Sequence, residues 1–167
     1  GVLVEPIPQK FIECSKNRKK SKVFCKACVS FEFNQERVEL IYSDLMTVST
    51  NLDSDVRNPE NHANIGLQFL NENENNYKFY AEPATLHDIL IESKAPNEID
   101  FLSLDVEGAE IEVLKGIDHE IFKFKFILIE CRSLIKMQRY LNSFDYELIE
   151  KLSSQDFLFQ HRKFMSI

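Results

Sequence analysis

The sequence predicts an α/β fold, a mostly parallel sheet with helices on both faces and a C-terminal antiparallel hairpin. Three observations predict it. Short apolar runs alternate with stretches of helical periodicity, the pattern of strand–helix–strand units packed into a covered sheet. The run Ile99 to Leu104 stops at Asp105 and passes directly into the acidic stretch Val106 to Glu110, a strand-to-helix turn. Tyr146 to Leu152 and Phe157 to Lys163 alternate apolar with polar residues and lie close together near the end of the chain, as hairpin strands do.

In order, Val2 to Val4 reads as a strand, and Pro8 to Lys19 as a helix with Pro in its first turn and Phe11, Ile12 and Cys14 on its inner side. Val23 to Val29 is the next strand, and Arg37 to Ser43 a further one alternating Val38, Leu40 and Tyr42. From Asp44 to Asn76 the composition turns to Asn, Asp, Glu and Ser. That excursion is too long for an ordinary connection, so it is either functional or mobile. Tyr77 to Glu82 alternates as a strand. Thr85 opens a helix with Asp88 three residues on and Leu86, Ile89 and Leu90 on one face. After the strand Ile99 to Leu104, a helix from about Glu107 turns Ile111, Leu114 and Ile117 inward and stops at Gly116. Phe124 to Ile129 is the most apolar strand, and Leu134 to Phe144 is helical.

At 167 residues, 44% of them apolar, the chain suits one domain over residues 1–167 with a core of its own. A formal charge of −7 gives no general attraction to nucleic acid or to an anionic membrane. The one basic cluster, Lys16 to Lys22, falls at a helix end and complements the dipole there. No apolar stretch approaches the roughly 20 residues of a membrane span, so the expected location is the cytoplasm. Cys14, Cys25, Cys28 and Cys131 are expected to be reduced thiols, since a chain with this much core does not need disulfides. Cys25 and Cys28 have CxxC spacing but no second pair to complete a zinc site, and no metal is expected. His62, His87, His119 and His161 are scattered and read as surface or helix-end residues. Glycine occurs only at positions 1, 66, 108 and 116, so no Gly-rich phosphate loop can be built from this chain.

Two positions carry candidate chemistry. In an open parallel sheet ligands sit beyond the carboxyl ends of the strands, where Asp105 and Glu107 stand. Asp is also a favoured helix cap, and Glu107 with Glu110 would suit the positive end of a helix dipole; capping and catalysis are compatible. Glu130 ends the next strand at the same edge, so a third carboxylate joins them. Such an acidic mouth can act as a general base, bind a metal or hold a cationic cofactor. Glu5 ends the first strand, with Pro6 preventing its continuation, and a carboxylate so placed accepts hydrogen bonds from ribose hydroxyls in doubly wound nucleotide folds.

Val4-Glu5-Pro6 before a helix, Lys26-Ala27-Cys28-Val29-Ser30, Thr85-Leu86-His87-Asp88-Ile89-Leu90, and above all Ile99 to Glu110 with Val113-Leu114-Lys115-Gly116, resemble FkbM-type methyltransferases over nearly the whole chain. The DVEGAE segment with its trailing VLKG is the specific part. The resemblance implies a Rossmann-like class I methyltransferase fold and an S-adenosylmethionine-dependent O-methyltransferase acting on a hydroxyl of a sugar or other secondary metabolite, so the partner is a small-molecule or glycan acceptor. Carried over by position, it places Glu5 and Pro6 at the cofactor ribose and Ala27 and Cys28 beside the adenine. Asp105 and Glu107 fall near the methyl group and the acceptor.

The resemblance departs at the front. The family's first strand and its acidic, Gly-containing cofactor loop would precede Gly1, so the chain is expected to be a partial domain, poorly soluble along an open sheet edge and of doubtful activity alone. A nicotinamide- or nucleotide-sugar-binding Rossmann enzyme and a non-catalytic interaction module are the competing readings. Under the second, the 44–76 excursion would be a partner-binding loop.

Overall fold

The computed structural model describes residues 1–165. Strands β1 (Val2–Val4) and β2 (Lys22–Phe24) pair in parallel around helix α1 (Pro8–Asn17), and β3 (Ala27–Val29) pairs in parallel with β7 (Pro83–Thr85). Strand β4 (Val38–Tyr42) lies antiparallel between β5 (Val48–Ser49) and β6 (Tyr77–Ala81). The largest sheet runs β10 (Tyr146–Lys151), β11 (Asp156–His161), β9 (Lys123–Glu130), β8 (Glu98–Leu104). Within it β8 and β9 are parallel, and the hairpin of β10 and β11 adds antiparallel to β9, as expected.

The sheets are mixed rather than mostly parallel. Antiparallel pairing comes from the C-terminal hairpin and from the strands flanking the polar excursion, and the parallel pairs are β1 with β2, β3 with β7, and β8 with β9. The expected strand Val23 to Val29 is two strands broken at Cys25 and Lys26, because its halves join different sheets. Helix α1 buries none of its residues, and Ile12 lies outward at 49% exposure.

Helix α3 (Leu86–Ser93) starts as its sequence requires. The Thr85 Oγ1 accepts the Asp88 N–H at 3.0 Å, and Leu86, Ile89 and Leu90 are buried. They join the main core with Leu104, Val113, Leu114, Phe124, Ile127, Ile129, Met137, Leu141 and Phe159, which links α3, β8, β9 and the hairpin to α4 (Glu110–Leu114) and α5 (Leu134–Asn142). Tyr146 is buried here, and its hydroxyl accepts the Phe124 backbone N–H at 2.9 Å.

Gly116 marks the end of the α4 segment for a steric reason. A Cβ there would lie 2.1 Å from the Val29 carbonyl oxygen, while the Gly116 carbonyl accepts the His87 N–H at 2.9 Å. This close approach seats the segment after β8 on β3 and α3. The 44–76 excursion is built of defined elements: a 3-10 turn Asp44–Met46, β5, helix α2 (Pro59–Gly66) and a 3-10 turn Leu67–Phe69. Its Val48 and Ala63 bury against Ile41, with Val56 packed alongside, in a small cluster apart from the main core.

Candidate functional site

The site grows from the turn between β8 and α4. The chain leaves β8 at Leu104, and Glu107 (φ 53°) and Gly108 (φ 98°) both take left-handed backbone before the helix begins at Glu110. The expected helix start at Glu107 is therefore three residues early, and the residue capping α4 is Ala109, not Asp105. The carboxylate of Glu110 folds back instead and accepts the Gly108 N–H at 2.9 Å and the Val106 N–H at 3.3 Å, which holds the turn closed. Left-handed φ is routine for Gly but strained for Glu.

Four contacts fasten the excursion over this turn. Asp55 N–H donates to the Gly108 carbonyl at 2.9 Å, and Asp55 pairs with Lys136 at 2.5 Å. Asp53 pairs with Lys115 at 3.2 Å. His62 of α2 brings Nε2 to 2.9 Å from Glu107 Oε2, and Arg132, just after β9, brings Nη2 to 3.3 Å from the same oxygen. A side chain at position 108 would collide with the excursion, since a Cβ there falls 2.8 Å from Ser54 Oγ and from Val56 Cγ2.

Electrostatics single out Glu107. Its side chain is 16% exposed, and burial, reinforced by the Asp105 and Glu130 carboxylates, pushes it up to about 7 despite the opposing Arg132 cation. A carboxyl in that range exchanges its proton near neutral pH. Asp105 is exposed as a residue, yet partial burial of its carboxyl still raises it against the Glu107 backbone amide. Burial likewise raises Glu110 and Glu130. At the end of β1, Glu5 Oε1 accepts the Ile7 N–H at 2.8 Å, and burial raises this carboxyl against that bond and the Lys10 charge. Burial pushes the Cys28 thiol up to about 12.

Glu5, Pro6, Ala27, Cys28, Asp105 and Glu107 all line one cavity of about 980 Å³. The cavity runs the whole length of β1 and β8, from Gly1, Ser93 and Pro96 at one end to Glu5, Asp105 and Glu107 at the other. Among the described residues β1 pairs only with β2 and β8 only with β9, so the cavity lies between two open strand edges. Its walls are apolar along the strands, at Val2, Val4, Leu102 and Leu104, and carboxylates gather at the carboxyl ends. The carboxyls that burial raises, Glu5, Asp105 and Glu107, therefore lie at that end.

Residues 1–159 match the methyltransferase FkbM domain. The chain belongs to the FkbM methyltransferase family. The segment that carries the resemblance, Asp105 to Glu110, is the turn that the FkbM domain here builds at the cavity mouth. No curated protein and no solved structure matches the chain.

Two residues at this site escaped the sequence reading. Three of the four histidines, His62, His119 and His161, are buried rather than superficial. His62 had a visible signal: Asn58 before Pro59 is a helix start, and His62, Ala63 and Gly66 fall on one inward face of that helix. Arg132 had none, because it sits in a short connection whose position depends on β9. Among the described residues no group of three or more His, Cys, Asp or Glu side chains is arranged to hold a metal ion, and no helix is long and apolar enough to cross a membrane.

Proposed function

We propose that this FkbM domain is an S-adenosylmethionine-dependent O-methyltransferase that methylates a hydroxyl of a sugar or other secondary metabolite, within a single Rossmann-like class I domain. The observation that carries the reading is the convergence of Glu5, Pro6, Ala27, Cys28, Asp105 and Glu107 on one cavity, with a proton-exchanging carboxyl at its mouth.

The residues present fit the cofactor. Glu5 commits Oε1 to the Ile7 amide, and among the described residues Oε2 has no partner, which suits a ribose hydroxyl. Val38, Leu40 and Leu52 line the cavity beside Ala27 and Cys28 and supply an apolar wall of the kind an adenine ring packs on. Asp105 and Glu107 provide negative charge for a sulfonium cation. When bound, S-adenosylmethionine supplies an activated methyl group, so the protein's work is chiefly alignment and electrostatics. Glu5 fixes the cofactor by its ribose, and Asp105 balances positive charge at the mouth. Glu107, whose carboxyl lies near neutrality, accepts the proton of the acceptor hydroxyl as its oxygen attacks. Four free cysteines suit a reducing compartment, and we assign the protein to the cytoplasm.

Calorimetric titration with S-adenosylhomocysteine, with NAD as the parallel ligand, tests this. The full-length protein is expected to bind S-adenosylhomocysteine, and Glu5→Ala to weaken it about tenfold or more through loss of charge-assisted hydrogen bonds. Preference for NAD would replace the reading with a nucleotide-binding enzyme. Binding of neither ligand, by this chain or by a form extended through the upstream coding sequence with both folded, would favour a non-catalytic interaction module.

A further inference from the structure

Local contacts within residues 43–66 seat helix α2 and set where His62 falls. Asn58 Oδ1 accepts the Asn61 N–H at 2.8 Å, Ser43 Oγ donates to the Ala63 carbonyl at 2.6 Å, and a Cβ at Gly66 would fall 2.3 Å from Ser43 Oγ. This packing delivers a histidine only 7% exposed against Glu107. Two unfavourable features meet at that contact. Glu107 holds a left-handed backbone. The His62 Nε2, although 2.9 Å from Glu107 Oε2, is not aligned for a hydrogen bond and has no other partner among the described residues. A left-handed glutamate and an unsatisfied buried nitrogen thus meet at one contact, the kind of coincidence that motivates a functional hypothesis.

The tautomer follows from Arg132. Its Nη2 lies 3.5 Å from His62 Nδ1, and guanidinium is a donor only. This contact favours Nδ1 as the acceptor and the hydrogen on Nε2, the nitrogen 2.9 Å from Glu107 Oε2. Both His62 and Arg132 address Oε2 of Glu107, and no partner among the described residues falls on Oε1.

Resting on the methyltransferase reading, we propose that His62 is a positioning residue: with Arg132 it fixes Oε2 of Glu107, so that Oε1 is the oxygen presented to the acceptor hydroxyl. The proton leaves the hydroxyl for Oε1 as the new carbon–oxygen bond forms and the carbon–sulfur bond breaks, its electron pair passing to sulfur. The His62 N–H, 2.9 Å from Oε2 before substrate arrives, closes on it in the reacting complex and stabilises the carboxylate before transfer. Catalytic hydrogen bonds that are misaligned without substrate tighten in the reacting complex.

The test reads the carboxyl of Glu107 by carbon NMR across pH. The groups facing it are Asp105 and Glu110 from its own segment, Glu130 and Arg132 from the end of β9, and His62 from α2. His62→Phe removes the donor and is expected to raise the midpoint by about half a pH unit or more, whereas His62→Gln, which keeps an N–H donor, returns it toward wild type. An unchanged midpoint in His62→Phe overturns the proposal. Nitrogen NMR of the wild-type histidines keeps it falsifiable should that variant not fold: the Nε2–H form supports it, and the Nδ1–H form overturns it. S-adenosylhomocysteine titration separates the two levels. Binding with no His62 effect on Glu107 removes this inference alone, whereas no binding with the effect intact leaves the pair standing and removes the methyltransferase reading.

Discussion

Glu107→Gln is expected to make the protein more stable at pH 8 and to leave its stability at pH 4 unchanged. The carboxyl titrates at an ordinary value of 4.5 when the chain is unfolded and at about 7 in the fold. Below the lower value it is protonated in both states and contributes no difference. Between the two values the folded protein holds a proton that the unfolded chain has released, so stability falls as pH rises. Above about 7 the loss is complete and constant. A displacement of that size corresponds to about 3 kcal/mol at most, and solvent reaching the side chain at the cavity mouth reduces this to about 1–2 kcal/mol. Glutamine retains an oxygen for Arg132 and His62 but carries no charge, so the penalty at high pH disappears in the variant.

The assay is urea unfolding followed by far-ultraviolet circular dichroism, since the chain has no Trp to report by fluorescence. Burial and the Arg132 cation lower the value of the neighbouring His62, so wild type and variant are compared at each pH. An identical difference at pH 4 and pH 8, or a wild type more stable than the variant at pH 8, would refute the burial argument.

Tyr146→Phe leaves the buried Phe124 N–H without its 2.9 Å acceptor and is expected to cost about 1–3 kcal/mol by urea unfolding; a loss below about 0.5 kcal/mol would mean that water replaces the hydroxyl. Burial pushes the Cys131 thiol up to about 11 and the Cys28 thiol up to about 12. At pH 7 the buried Cys131 is expected to resist thiol labelling until urea unfolds the chain, and mass mapping that finds it modified in the native protein would contradict its burial.

Elements defined by local chemistry were legible in the sequence. Thr85 with Asp88 announced α3, and the alternating residues of Tyr77 to Ala81 and of the hairpin announced their strands, because each pattern needs only its own neighbours. What depended on distant partners was not. The apolar run Val23 to Val29 has no internal sign that Lys22–Phe24 and Ala27–Val29 join different sheets. The start of α4 was misplaced because a left-handed Glu107 is dictated by Gly108, the Glu110 carboxylate and the excursion above them, not by the propensity of Glu. At the site, Asp105 and Glu107 were visible as strand-end carboxylates. His62 was legible only through the Asn58-Pro59 helix start, which the polar composition of the excursion made easy to pass over, and Arg132 was not legible because no periodicity marks a connection.

The clasp of the excursion over the β8–α4 turn has a dynamic consequence. It consists of one backbone hydrogen bond, two partly exposed ion pairs and the His62 contact, and exposed ion pairs contribute about 0–1 kcal/mol each. The small apolar cluster beneath it is separate from the main core. Release of the clasp therefore requires far less free energy than global unfolding, and the segment can part from the turn as a unit while the large sheet stays intact. In the parted state Glu107 loses His62. The competent arrangement is then only a fraction of the population, and a ligand that prefers the clasped form binds with an apparent affinity scaled by that fraction.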